Sequence, residues 1–141
     1  MGNKGSVNVK INFEDVQYVL RNRNQYLLIN TLSSEEQDCL IINTINISDE
    51  ERIINEFLKN SCKDINIVIY GKNSCDEKMH SKYNQLTALG FCKVYIYVGG
   101  LFEWLMLQDI YGEKMFPTTK KELDILKYKP NKVFDIRYIE F

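Results

Sequence analysis

Ile65-Asn66-Ile67-Val68-Ile69-Tyr70 runs straight into Gly71-Lys72-Asn73-Ser74-Cys75-Asp76. The first stretch is an almost unbroken apolar run, the pattern of a strand covered on both faces. Gly71 ends it and opens a polar loop. Asp76 then starts a helix with apolar positions at Met79, Tyr83, Leu86 and Leu89, and Gly90 is its C-terminal stop. A doubly covered strand feeding a helix is the repeating unit of a parallel α/β sheet.

The same unit recurs on either side. Upstream, Tyr26-Leu27-Leu28-Ile29-Asn30 predicts another buried strand. Before it, Phe13, Val16, Val19 and Leu20 recur at helical spacing, with Asn12 as candidate N-cap and Glu14 and Asp15 in the first turn. Thr44 to Ile47 predicts a short strand, and Ser48-Asp49-Glu50-Glu51 a capping box. The helix it opens aligns Ile53, Ile54, Phe57 and Leu58 on one face. Downstream, Val94 to Val98 predicts a strand ended by Gly99-Gly100. Leu101 to Tyr111 predicts a helix apolar on almost every side, expected in the core, with a covering partner as the alternative. Thr119 is a candidate cap for a helix from Lys120 to about Tyr128. Together these elements predict one α/β domain: a mostly parallel sheet of about five strands with helices on both faces. The working surface of such a sheet lies at the carboxyl ends of its strands. The loop after Tyr70 and the Gly99-Gly100 turn should share that rim.

Composition narrows the function. The 141 residues carry a formal net charge of −1, so no nucleic-acid partner is expected. No apolar run approaches the roughly 18–20 residues of a membrane span, and the polar N-terminus lacks a secretory signal. Cys39, Cys62, Cys75 and Cys92 show no C-x-x-C spacing, and His80, the single histidine, cannot complete a zinc set with them. Neither a metal nor a cofactor is expected. Free thiols in a reducing compartment are the better reading, which places the protein in the cytoplasm.

The two ends carry separate signals. Residues 1–10 read as a flexible N-terminus, and Met1-Gly2-Asn3-Lys4-Gly5-Ser6 fits the acylation pattern M-G-x-x-x-[ST], making Gly2 a candidate for lipidation and peripheral membrane contact. One myristoyl chain binds membranes only marginally, with a constant of about 10⁴ M⁻¹. At the other end, residues 129–141 form an extension. There Phe134, Ile136 and Tyr138 alternate with Asp135 and Arg137, a strand pattern able to close the domain's own sheet or pair with another copy. The lysines of the C-terminal third are offset by Glu113, Glu122 and Asp124, so they read as a solvated face.

Taken in order, Leu27-Leu28-Ile29-Asn30, Glu35-Glu36, Thr44-Ile45-Asn46-Ile47, Ile67-Val68-Ile69-Tyr70 with its loop, Leu89-Gly90-Phe91 with Val94-Tyr95, and Gly99-Gly100 with Trp104 resemble a rhodanese-like domain. The resemblance covers roughly residues 11–111, and the domain it implies spans 11–128. Leu101-Phe102-Glu103-Trp104-Leu105, Gln108-Asp109-Ile110-Tyr111-Gly112 and Phe116-Pro117-Thr118-Thr119 are similar to a sub-group from large DNA viruses and protists. That likeness implies the host cytoplasm or a virion as location.

The resemblance also implies a chemistry. The family uses one cysteine directly after the central strand, which takes a sulfane sulfur as a persulfide and passes it on. The loop amides behind it form an anion-binding nest at a helix N-terminus. Gly71 stands at that position here, and it has no side chain. The family's late loop arginine corresponds to Asp76, its Asp-x-Arg to Asn30-Thr31-Leu32, and its histidine before the short strand to Leu40. The loop Gly71, Lys72, Asn73, Ser74, Cys75 and Asp76 is therefore the active-site-loop equivalent of a catalytically silent binding or scaffold module with an unidentified protein partner. The alternative is a sulfurtransferase using Cys75, which lies just before a helix whose dipole favours a thiolate, although Asp76 and Glu77 oppose it. His80 reads as an exposed helical residue, and Cys39, Cys62 and Cys92 as packing or loop residues. Phosphatase chemistry of related cell-cycle enzymes would need both the cysteine and the arginine, and is the poorest fit.

Overall fold

The computed structural model describes residues 9–134. Within them the chain order is β1 (Lys10–Ile11), α1 (Phe13–Arg21), β2 (Tyr26–Asn30), α2 (Ile47–Lys59), β3 (Asn66–Tyr70), α3 (Lys78–Ala88), β4 (Lys93–Tyr97) and α4 (Gly100–Tyr111). The four strands are all parallel, in the order β1-β4-β3-β2. The fold is α/β, with four strands among the described residues rather than about five.

Strand periodicity sorts the core into two layers. Along β3, Val68 and Tyr70 face one side with Leu28 and Tyr97, where Val16 and Val19 of α1 and Leu101, Trp104 and Leu105 of α4 cover them. Ile67 and Ile69 face the other side with Ile29, Val94 and Ile96, covered by Ile54 of α2 and Met79 and Leu86 of α3. Helices therefore lie on both faces. Most of these side chains are fully buried, each contributing roughly 1.5–3 kcal/mol of transfer free energy.

Local signals explain the helix ends. Asn12 caps α1 through its side chain, and Asp15 returns a bond to the Asn12 amide, a complete capping box. Gly90, at φ +107, turns the chain out of α3. α3 itself begins at Lys78, two residues later than the sequence predicts, because the Asp76 carboxylate accepts the Lys78 amide from outside the helix.

Three predicted elements differ. No strand forms over Thr44–Ile47. Asn43 takes a left-handed φ of 69° in the turn just before it, the Thr44 hydroxyl bonds back to the Ile41 carbonyl, a single strand-like bond runs from Ile45 N–H to Leu28 O, and Ile47 already opens α2. Asn46 rather than Ser48 then caps α2. The helix expected from Lys120 reduces to a 3₁₀ turn, Ile125–Tyr128. The Thr119 hydroxyl is spent on Asp38 O, and Leu123 and Leu126 point outward, so only Ile125 and Tyr128 of the segment pack against the core. α4 is apolar all round in sequence, but Met106, Ile110 and Tyr111 are exposed while Trp104 and its neighbours are core. The predicted strand at Ile136 and Tyr138, and the acylation candidate Gly2, lie outside the described residues. Phe134 is exposed.

Candidate functional site

Parallel register brings Asn30, Tyr70 and Tyr97 side by side at the carboxyl edge of the sheet. The chain leaves β3 through Gly71 and returns into α3, so the loop 71–76 stands at the centre of that rim. The start of α4 closes on it. Leu101 N–H donates to Gly71 O (2.9 Å) and Phe102 N–H to Lys72 O (2.9 Å). Gly100, at φ +69, makes this approach possible, since a Cβ there would lie 2.8 Å from Gly71 O. The predicted shared rim is present.

Asp76 organises the loop from inside. One carboxylate oxygen accepts the Lys72 amide (3.0 Å) and lies 3.5 Å from the Thr31 hydroxyl, while the other accepts the Lys78 amide (3.0 Å). Gly71 is the neighbour that admits it. A Cβ at Gly71 would lie 2.7 Å from Asp76 Oδ2, 2.7 Å from Met79 Cγ and 3.0 Å from Thr31 Oγ1. Nonbonded carbon contacts optimise at roughly 3.5–4.0 Å, so no side chain fits without displacing these groups.

Asn73 is buried and pins the loop on both sides. Its carbonyl oxygen accepts the Cys75 amide (2.9 Å), and its amide group donates to Tyr128 O (2.9 Å). Lys72 reaches across to Glu36 (2.8 Å), which also accepts from Ser33. The bonded Lys72 ammonium holds the Glu36 carboxyl below the usual carboxylate range. Beneath the rim, Tyr97 donates to Glu103 (2.5 Å); burial first, and then that carboxylate, push the Tyr97 phenol far up.

Glu36, Lys72, Asn73 and Asp76 border an open cavity of about 370 Å³. Thr31, Leu32, Ser33 and Glu36 form one wall, Lys72, Asn73, Cys75, Asp76 and Lys78 the floor, and Lys129, Pro130, Asn131 and Val133 the outer wall. The candidate loop residues Lys72, Asn73, Cys75 and Asp76 are thus brought to one cavity. Ser74 and His80 instead face a neighbouring open cleft that Cys75 also borders. Cys75 is exposed; Cys62 and Cys92 are exposed elsewhere, and Cys39 is buried. Sequence reasoning missed the outer wall. The extension carries strand and lysine signals, and nothing local marks it as folding onto a loop some fifty-five positions away in the chain.

The family model for the rhodanese-like domain matches residues 15–107, and the central strand, its loop and the α4 turn all fall within that span. The chain belongs to the rhodanese-like domain family.

Among solved structures of this fold, the rhodanese-like domain of the Alr3790 protein from Anabaena sp. is 20% identical, with a TM-score of 0.53 over 92% of this chain and 89% of that one. A protein from Lactobacillus plantarum is 18% identical, with a TM-score of 0.56 over 71% and 84%. The As–Sb reductase from Leishmania major is 23% identical, with a TM-score of 0.51 over 75% and 81%. These likenesses concern the fold. No curated protein matches the chain significantly. Among the described residues of this rhodanese-like chain, no helix is long and apolar enough to cross a membrane.

Proposed function

We propose that this rhodanese-like protein is a catalytically silent binding or scaffold module. The observation that carries the reading is the occupation of the loop's centre. By the family resemblance Gly71 stands where the sulfur-carrying thiol belongs, and the space beside it holds the Asp76 carboxylate. An anion cradle filled by the chain's own anion has no place for a persulfide or for an anionic donor against it. The cavity above remains open to a ligand or peptide.

The second reading is sulfur transfer through Cys75, favoured by that thiol's exposure on the cavity wall. One experiment separates the two. The protein is incubated with thiosulfate or 3-mercaptopyruvate and cyanide, thiocyanate is measured, and the intact mass is inspected for one added sulfur. No turnover is expected. Turnover abolished by Cys75→Ser would overturn the silent reading.

The likeness of residues 101–119 to a viral and protist sub-group belongs to the same proposal, as do an unidentified protein partner and self-association through Phe134, Ile136 and Tyr138. Acylation of Gly2 would add peripheral membrane contact. Intact mass after co-expression with an N-myristoyltransferase tests it; an unmodified Gly2 removes that contact.

A further inference from the structure

The charges lining the cavity divide into two sets. Both carboxylates are consumed by the protein. Glu36 is paired with Lys72 and bonded by Ser33, and Asp76 accepts two backbone amides. The cations are not balanced in the same way. Lys72 is paired, but among the described residues neither Lys78 nor Lys129 is in an ion pair with a carboxylate. Both are exposed and both line the cavity, Lys78 as the first residue of α3 and Lys129 at the start of the outer wall. The start of the wall at Lys129 is anchored, because the adjoining Tyr128 is buried in the core and its carbonyl is held by Asn73.

From this arrangement we infer a binding site for a phosphate-type dianion, free or as a small monoester, between Lys78 and Lys129. The inference rests on the binding-module reading and names its ligand class. Two ammonium groups with no ion-pair partner among the described residues match a dianion, and charge-assisted bonds of this kind are roughly twice as strong as neutral ones. A cavity of about 370 Å³ admits a small ester as well as the free ion. The position differs from the loop's central cradle, which Asp76 fills, so the anion sits further out and touches the C-terminal segment. Asn131 on the same wall supplies a neutral hydrogen-bonding group.

The probes are orthophosphate and glycerol 3-phosphate, titrated calorimetrically into the full chain at low and at raised chloride. Binding is expected, weakened by salt, and reduced roughly tenfold or more by Lys78→Ala and by Lys129→Ala. Lys121→Ala, outside the cavity and paired with Glu113, should leave it unchanged. Comparing the probes separates the sources: equal affinity means the free ion suffices, tighter glycerol phosphate means the ester is the ligand. Melting curves of each variant confirm folding; if one fails to fold, Lys→Gln at the same position replaces it. No heat or shift with either probe in the millimolar range overturns the site, as does binding indifferent to both lysines. Thiocyanate turnover would instead overturn the silent reading while leaving this measurement interpretable.

Discussion

The Asp76 carboxylate and the Gly71 α-carbon share one space: Asp76 Oδ2 lies 2.7 Å from where a Cβ on Gly71 would be. Each residue is a condition for the other's conformation. Asp76 can turn inward because position 71 has no side chain, and the loop amides are satisfied because Asp76 turns inward.

That interdependence is measurable in a double-mutant cycle. Gly71→Ala should destabilise by about 1–3 kcal/mol through overpacking against Asp76 and Met79. Asp76→Ala should cost about 1–3 kcal/mol through its lost amide bonds. The pair should cost less than the sum, with a coupling of at least about 0.5 kcal/mol by denaturant unfolding. Additive costs would mean that the two do not compete for space.

Tyr70 ties the turn after residue 40 to the sheet. Its hydroxyl accepts the Ile41 amide (3.1 Å) and bonds the Thr44 hydroxyl (2.8 Å) in a fully buried setting. Tyr70→Phe leaves that amide without its acceptor and should cost about 1–3 kcal/mol by thermal or denaturant unfolding.

Alkaline stability should fall for a stated reason. Burial raises the phenol pKa of Tyr70 and, together with Glu103, of Tyr97, above the ordinary value near 10. A raised folded pKa contributes stability that is complete below about pH 10 and is lost as pH climbs towards the folded value. Titration at 295 nm should therefore show two of the nine tyrosines ionising only together with unfolding.

Thiol accessibility offers a direct check. Cys62, Cys75 and Cys92 are exposed and Cys39 is buried, its thiol pushed up by desolvation. An aromatic disulfide reagent should titrate three thiols rapidly in the native protein and the fourth only after denaturation. A native count of four would place Cys39 at the surface.

Lys72→Met should release Glu36. The carboxyl, held low by the ammonium, should rise towards the unperturbed value near 4.3 by NMR titration. Being a depressed acid, Glu36 contributes stability above that pH and loses it as acid is added. The pair is partly exposed, so about 0.2–1 kcal/mol is at stake.

The sheet was readable because β2, β3 and β4 are buried on both faces, and such strands appear as apolar runs whatever their neighbours do. The N-cap at Asn12 and the stop at Gly90 were readable because both act within a few residues. Thr44–Ile47 was not. Its conformation is set by a bond to Tyr70, twenty-six positions away, that no local pattern encodes. At the site, Gly71 and Asp76 stood out against the family pattern, but that one fills the space beside the other depends on three-dimensional placement. Lys129 read as one of several surface lysines, because it is the burial of Tyr128 and its bond to Asn73, far away in the chain, that turn the segment towards the cavity.

The bonds from Leu101 and Phe102 to the carbonyls of Gly71 and Lys72 run entirely through main chain. The start of the loop is thus held by its own backbone, so the path of residues 71 and 72 does not depend on the side chain at 72 while the space at Gly71 and Gly100 stays clear. Frame and chemistry are thereby divided within one loop: Asn73 and Asp76 hold it through their side chains, whereas the exposed residues 74 and 75 can be exchanged for new specificity while that frame stays as it is.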